Sequence, residues 1–409
     1  MFIILYIILL TGIFCWLIKL ILRRQTIVLS NNELILTFGA KVATAAAYGY
    51  VFYHYFGGDD TWFYYHQGIY ERDLLMHQPE LFFRDFNPMI PFRKHDSFFA
   101  GLRNLLGDWE YNLTIKPQAL FNLVSGGNYY VNIVFFSFIT YWGSFWFFSL
   151  LVKIFPQQRK KWFLLVFFFP PVLFWLSGFR GDGLLFFFIS LTLLQGYRWL
   201  KTRSGWALTW AWTGLAGTFI LRDPVAMLLI PGLVSVFITV RWGIRAWKSS
   251  CIVYGISAIL FFGSVWLSPS VNPVKMIADR QAAFFALNGN TRFQLEKLEP
   301  TAGSFLSILP EAVVNVFLRP APWEAKGLFQ LVTSVDVLLF WAIFIYMLFR
   351  YRSTWKDRFS HPFLLFLLTS GVTMFIFIGF TVPFPGAIVR YKVIPELYLF
   401  CWLLYTYKK

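Results

Sequence analysis

The chain has 409 residues, of which 58% are hydrophobic, 22% aromatic and only 14% charged. So little charge cannot cover the surface of a soluble protein this long, which excludes the soluble classes. The formal net charge of +16 would suggest nucleic acid in a soluble protein, but the placement of the basic residues assigns it to membrane topology instead.

Apolar runs of about 16–24 residues recur along the chain, the length that crosses a hydrocarbon core. The first, Met1 to Leu22, lacks a basic leading region and a small-residue cleavage site, so it reads as a retained transmembrane helix. Eleven spans are expected, near 2–22, 34–56, 128–152, 162–178, 183–199, 206–221, 225–240, 251–267, 328–349, 362–382 and 393–407. Pro170-Pro171 and Pro224 mark places for broken or re-entrant helices. The expected fold is an all-α polytopic membrane protein, one multi-span domain over 1–409. Cys15, Cys251 and Cys401 all fall in apolar runs, so no disulfide or cysteine metal site is expected.

Basic clusters fall on alternate connections. They are Arg23-Arg24, Arg159-Lys160-Lys161, Arg198 with Lys201 and Arg203, Arg241 with Arg245 and Lys248, Arg350 through Arg358, and Lys408-Lys409. All share one side if the N-terminus is outside and the C-terminus cytoplasmic. Of the 20 carboxylates, only Glu33 and Asp357 lie on that basic side. Most others lie in two stretches, 57–127 and 268–327, too long for simple connectors. These are expected to be two extracytoplasmic loops. Segments such as Thr61–Leu75 and Phe98–Leu106 suit interfacial amphipathic helices.

Four outer segments could carry chemistry. Gly57-Gly58-Asp59-Asp60-Thr61-Trp62-Phe63-Tyr64-Tyr65 follows the second span. A partly desolvated carboxylate there would gain basicity, as a general base requires. A solvated helix end with Gly-Gly as its break explains the same residues. Ser177-Gly178-Phe179-Arg180-Gly181-Asp182-Gly183 makes a short turn. Arg180 and Asp182 could simply pair, but an outer arginine runs against the charge bias and suits an anion ligand. Arg222-Asp223-Pro224 repeats that logic, with an ion pair capping a proline-started helix as the equal alternative. In the last connection, 383–392, Arg390 and Lys392 are again basic on the acidic side. Arginine offers a planar fork for phosphate oxygens and lysine a point charge.

Other features are weaker. His54, His66, His77 and His95 cluster in or near the first loop beside Asp59 and Asp60. Their spacing matches no zinc signature, and interfacial polar residues are the favoured reading. The patch Arg319-Pro320-Ala321-Pro322-Trp323-Glu324 could line a sugar site through Trp323 and Glu324, or anchor the chain at the interface.

The order of these motifs resembles the C-type (GT-C) superfamily of integral membrane glycosyltransferases. In that superfamily the first long outer loop carries a catalytic Asp, and Gly58-Asp59-Asp60-Thr61-Trp62-Phe63-Tyr64-Tyr65 looks like that element. The Ser177–Asp182 hairpin and Arg390-Tyr391 look like positions in members that use polyprenyl carriers. The likeness covers the topology of nearly the whole chain but only about 25 motif residues. One departure is that the acidic loop follows the second span, not the first.

The resemblance implies an inverting transfer from a polyprenyl-phosphate or -diphosphate sugar to a glycan, lipid or protein acceptor, outside the cytoplasmic membrane. Asp59 or Asp60 would be the base. Arg390, Lys392, Arg180 and Arg222 would hold the donor phosphate. Tyr64, Asp182, Trp323 and Glu324 would contact substrate. No cofactor is certain, and members differ on whether a divalent metal takes part. Membrane lipids, not nucleic acid, are the other partners. Two readings stay open beside it. One is a polysaccharide polymerase or O-antigen-ligase-like enzyme, leaning on the arginines. The other is a lipid or sugar flippase, which expects deep charges such as Lys41.

Overall fold

The structure, a computed structural model, describes residues 2–93, 98–266, 272–287, 292–293, 295–325 and 327–406. His95, Lys408 and Lys409 lie outside the described residues. Every regular element among those described is helical. Among the described residues, eight helices are long and apolar enough to cross a membrane, as expected of a polytopic helical membrane protein. Contacts divide the chain into two compact units, Met1–Ala226 and Met227–Lys409.

In the first unit, α1 (Phe2–Leu22) is followed by α2 (Asn31–Phe56) and α3 (Asp59–His77). The Ser30 hydroxyl accepts from the Glu33 amide at 3.2 Å and the Glu33 carboxylate accepts from the Ser30 amide at 2.9 Å, which starts α2 with a capping box. The same carboxylate takes both terminal nitrogens of Arg159, at 2.6 and 2.9 Å. Gly57, at φ 67°, ends α2 in the left-handed conformation that glycine adopts at least cost.

The first long stretch is not irregular loop. It folds as α3, α4 (Pro79–Arg84), α5 (Ile90–Arg93), α6 (Phe98–Thr114) and α7 (Lys116–Ser125). A buried polar knot joins them. Lys116 Nζ lies 3.0 Å from the Glu71 carboxylate and 2.6 Å from the Phe82 carbonyl, while Tyr111 donates to Glu71 at 2.9 Å.

Then come α8 (Tyr129–Ile154), α9 (Arg159–Phe168), α10 (Pro170–Trp175), α11 (Gly181–Thr202) and α12 (Gly205–Leu221). Close packing of these helices depends on small residues, as in membranes generally. A Cβ on Gly143 of α8 would stand 2.8 Å from the Phe187 backbone of α11. The expected span 162–178 is divided between α9 and α10 at Phe169, because Pro170 and Pro171 cannot donate to the preceding turn. The span expected at 206–221 is a 17-residue helix.

The chain crosses from the first unit to the second within α13 (Asp223–Trp242), which precedes α14 (Ala246–Gly263). The second long stretch contains α15 (Pro273–Ala286) and α16 (Ala302–Phe317). It is followed by α17 (Leu328–Arg350), α18 (Trp355–Ser360), α19 (Pro362–Thr381), α20 (Pro385–Tyr391) and α21 (Val393–Leu404). The span expected at 393–407 is thus a 12-residue helix. Its last carbonyls are capped by the buried guanidinium of Arg358, which donates at 3.0 Å to Leu403 and to Tyr405.

Candidate active site

The acidic motif and the glycine hairpin meet in the first unit. Gly57, Gly58 and Asp59 take positive φ in succession, 67°, 119° and 53°, so the chain reverses sharply between α2 and α3. Aspartate tolerates this region better than most residues, and strained backbone of this kind concentrates at functional sites. The reversal puts both carboxylates at the first turn of α3, where the helix dipole favours negative charge.

That turn is fixed from three sides. The Thr61 and Tyr129 hydroxyls are 2.8 Å apart. Trp62 donates to the Gly49 carbonyl at 3.0 Å and stacks on Tyr129 with centroids 4.0 Å apart. Opposite it, the hairpin between α10 and α11 is held by Lys41, whose Nζ donates to the Leu176 carbonyl at 2.8 Å. Gly178 lies against the Tyr48 ring, where a Cβ would come within 2.9 Å.

Arg180 joins the two halves. Its Nη1 donates to Asp59 Oδ2 at 2.7 Å and to the Tyr48 hydroxyl at 3.1 Å. Its Nη2 donates to Asp60 Oδ2. Asp59 Oδ1 accepts from the Asp60 amide at 2.7 Å. The guanidinium is nearly buried, with 4% of its side chain exposed, whereas Asp59 keeps 34% and Asp60 51%. Charge-assisted bonds from one rigid fork therefore orient both carboxylates and leave Asp60 the more accessible of the two.

A second charged layer surrounds them. Arg222, half-buried, donates to Glu110 at 2.7 Å. Asp182, buried at the start of α11, lies within electrostatic range of Arg180, Arg222, Asp60 and Asp59. Tyr64 is one turn beyond Asp60. Burial pushes its hydroxyl up to about 12; Asp60 and Glu110 add to the rise, and Arg222 and Arg180 oppose it. Tyr64 is therefore a protonated donor at neutral pH.

Six of the expected site residues are thus together: Asp59, Asp60, Tyr64, Arg180, Asp182 and Arg222. The other four are in the second unit. Arg390 donates to the Tyr391 hydroxyl at 2.8 Å. Lys392 is buried and 3.1 Å from Asp336. Glu324 pairs with Arg319 at 3.0 Å and accepts from the Ala321 amide at 2.9 Å. Trp323 is 86% exposed.

Tyr48 and Glu110 belong to the first-unit cluster but carry no sequence signal of their own. Tyr48 sits in an apolar helix, and Glu110 was one carboxylate among many in its stretch. Among the described residues, no group of three or more His, Cys, Asp or Glu side chains is placed to hold a metal ion. No protein-family model, curated protein or solved structure matches the chain.

Proposed function

We propose that the protein is a membrane glycosyltransferase that moves a sugar, with inversion, from a polyprenyl-(di)phosphate donor to an acceptor hydroxyl. The observation that carries this reading is the Arg180 fork across Asp59 and Asp60. It holds a half-exposed carboxylate in a fixed direction, which is what a general base needs. Asp60 takes the proton of the acceptor hydroxyl. The acceptor oxygen then bonds to the anomeric carbon, and the bond from that carbon to the donor phosphate breaks. The leaving phosphate keeps the electron pair.

Within the first unit, Arg222 and the protonated Tyr64 are the groups suited to the charge developing on that phosphate. Arg180, engaged with both carboxylates, acts as a positioning residue in this scheme. The assignment of Arg390 and Lys392 to the donor phosphate, and of Asp182, Trp323 and Glu324 to substrate, rests on the sequence pattern alone. So do the eleven crossings, which count the α9–α10 pair, α12 and α21, the outside N-terminus and the extracytoplasmic site.

One observation favours a second reading, transport. Glu396 is buried in α21, and neither of its carboxylate oxygens has a hydrogen-bond partner among the described residues. An ionisable group in that setting marks ion pathways in transporters.

The test is purified protein with a panel of polyprenyl-linked sugar donors, comparing wild type with Asp59→Asn and Asp60→Asn. Transfer by wild type that both variants retain in full would remove the acidic base. Substrate flux into vesicles that Glu396→Gln abolishes, without sugar transfer by any form, would establish transport instead.

A further inference from the structure

The second unit contains a cleft with charged side chains in its lining, and apart from Glu324, which pairs with its Arg319, no part of the scheme above uses it. One cavity of about 600 Å³ is lined by Arg292, Phe293, Glu311, Asn315 and Arg319, among others. A second, of about 400 Å³, shares Arg292, Phe293 and Glu311 and adds Glu296. Both volumes fall in the range of small-molecule sites.

The walls are rigidly built. The Gln281 side chain, fully buried, donates to the Glu296 carbonyl at 3.0 Å and the Phe380 carbonyl at 2.9 Å, and accepts from the Leu298 amide at 2.8 Å. It thereby ties the segment bearing Glu296 to α15 and α19. On the other side α16 lies so close to α19 that a Cβ on Gly379 would stand 2.1 Å from the Ala312 carbonyl oxygen. Glu311, Asn315 and Pro310 all project from that helix.

The chemistry of the lining selects the ligand. The buried Asn315 accepts from Arg319 at 2.9 Å through Oδ1, but its Nδ2 has no partner among the described residues. A buried donor without a partner needs an explanation, and because Asn315 lines the cleft, an acceptor entering there from a ligand or a water supplies one. Among the described residues, the Glu311 carboxylate accepts one long contact, 3.5 Å, from the Glu296 amide. The Arg319 guanidinium lies 4.8 Å over the Phe293 ring and Arg292 lies 4.3 Å over Phe285. Arg292 and Arg319 are matched by Glu296 and Glu311 in the lining, and Glu324 pairs with Arg319 besides, so the cleft has no positive excess to attract a phosphate. What it offers is donors and acceptors interleaved beside an aromatic ring. A sugar hydroxyl both donates and accepts, and a pyranose face is apolar enough to lie on a ring.

We propose that this cleft binds the uncharged saccharide of the acceptor. The proposal rests on the transferase reading for the word acceptor only; the binding itself does not need it. The experiment uses the full chain in lipid nanodiscs with a panel of neutral gluco-, galacto- and manno-configured oligosaccharides and with inorganic pyrophosphate, binding being read by saturation-transfer NMR and titration. At least one oligosaccharide is expected to bind saturably. Asn315→Leu and Glu311→Gln should each weaken it about tenfold or more, the loss of one strong hydrogen bond. Arg292→Ala, an exposed change that spares the core, should weaken it too. Pyrophosphate should not displace the sugar.

Failure of every oligosaccharide to bind, equal binding by folded variants, or displacement by pyrophosphate would overturn the proposal. Asp60→Asn separates the two readings. Sugar binding without transfer by any form removes the transferase and leaves the cleft. Transfer with wild-type KM in all three cleft variants removes the cleft and leaves the transferase.

Discussion

Arg180 Nη1 stands 2.7 Å from Asp59 Oδ2, although 121 positions separate the two residues. With Nη2 on Asp60, the guanidinium bridges two adjacent carboxylates that would otherwise repel each other and drift apart. A lysine carries the same charge but has one nitrogen and no fork. Arg180→Lys is therefore expected to fold and yet to lose transfer activity by ~10²-fold, the scale of a displaced catalytic group. Asp60→Asn, which removes the proton acceptor, should lose about 10²- to 10⁴-fold. Steady-state transfer assays, with thermal stability as the control for folding, check both. Wild-type activity in Arg180→Lys would mean that charge alone suffices there.

The parts of this site that could be seen in the sequence are those that break a local rule. Two acids after Gly-Gly, and an arginine on the side that should be poor in bases, both stand out. Their sign and position suggested two roles, a base and an anion ligand. They could not reveal that the ligand of Arg180 is the acidic pair itself, because that contact depends on how α2, α3 and the hairpin before α11 pack. Tyr48 was invisible for the same reason. The helical membrane class followed from long apolar runs, which need only local information. The division of 162–178 at Pro170-Pro171 was foreshadowed by those prolines. The helices inside 57–127 were legible only in part, since their buried faces answer to Lys116 and Glu71, 45 residues apart.

The α8–α11 contact makes a second prediction. Gly143 has no room for a side chain against the Phe187 backbone, which cannot yield as a flexible side chain would. Gly143→Ala should cost about 1–3 kcal/mol, the range for overpacking. A clear fall in unfolding midpoint in detergent, without change in helix content at low temperature, is the expected result. A neutral substitution would show that α8 and α11 part easily.

His361 makes a third, on pH. It caps α19, its Nδ1 accepting from the Leu364 amide at 3.4 Å. Burial pushes its pKa down to about 4 from the usual 6.5. The unfolded chain therefore binds the proton first as pH falls. The stability that neutral His361 contributes is present above about 6.5 and is lost progressively towards pH 4. His361→Asn keeps a cap but removes the titration. Melting curves of the two forms should converge or cross over that window, and parallel curves would exclude His361 as the cause.

The buried knot in the first long stretch makes the last prediction, and it separates two ways a charge can matter. Lys116 and Glu71 are each only 2% exposed and 3.0 Å apart. Removing both from water is costly, and the pair recovers that cost through its geometry, its bonds to Phe82 and Tyr111, and the Asp85 carboxylate 3.4 Å from Lys116. Lys116→Met leaves Glu71 buried without its cation and should destabilise by about 3–5 kcal/mol. Replacing both together, with Lys116→Met and Glu71→Leu, removes the stranded charge as well as the attraction. The double variant is expected to be more stable than Lys116→Met alone. A double variant as unstable as the sum of the singles would mean the two residues act independently, each through packing rather than through the pair. Because α3 carries Asp59 and Asp60 in its first turn and Glu71 about three turns further on, Lys116→Met should also lower transfer activity as temperature rises. The double variant should restore it over the range where its melting curve recovers.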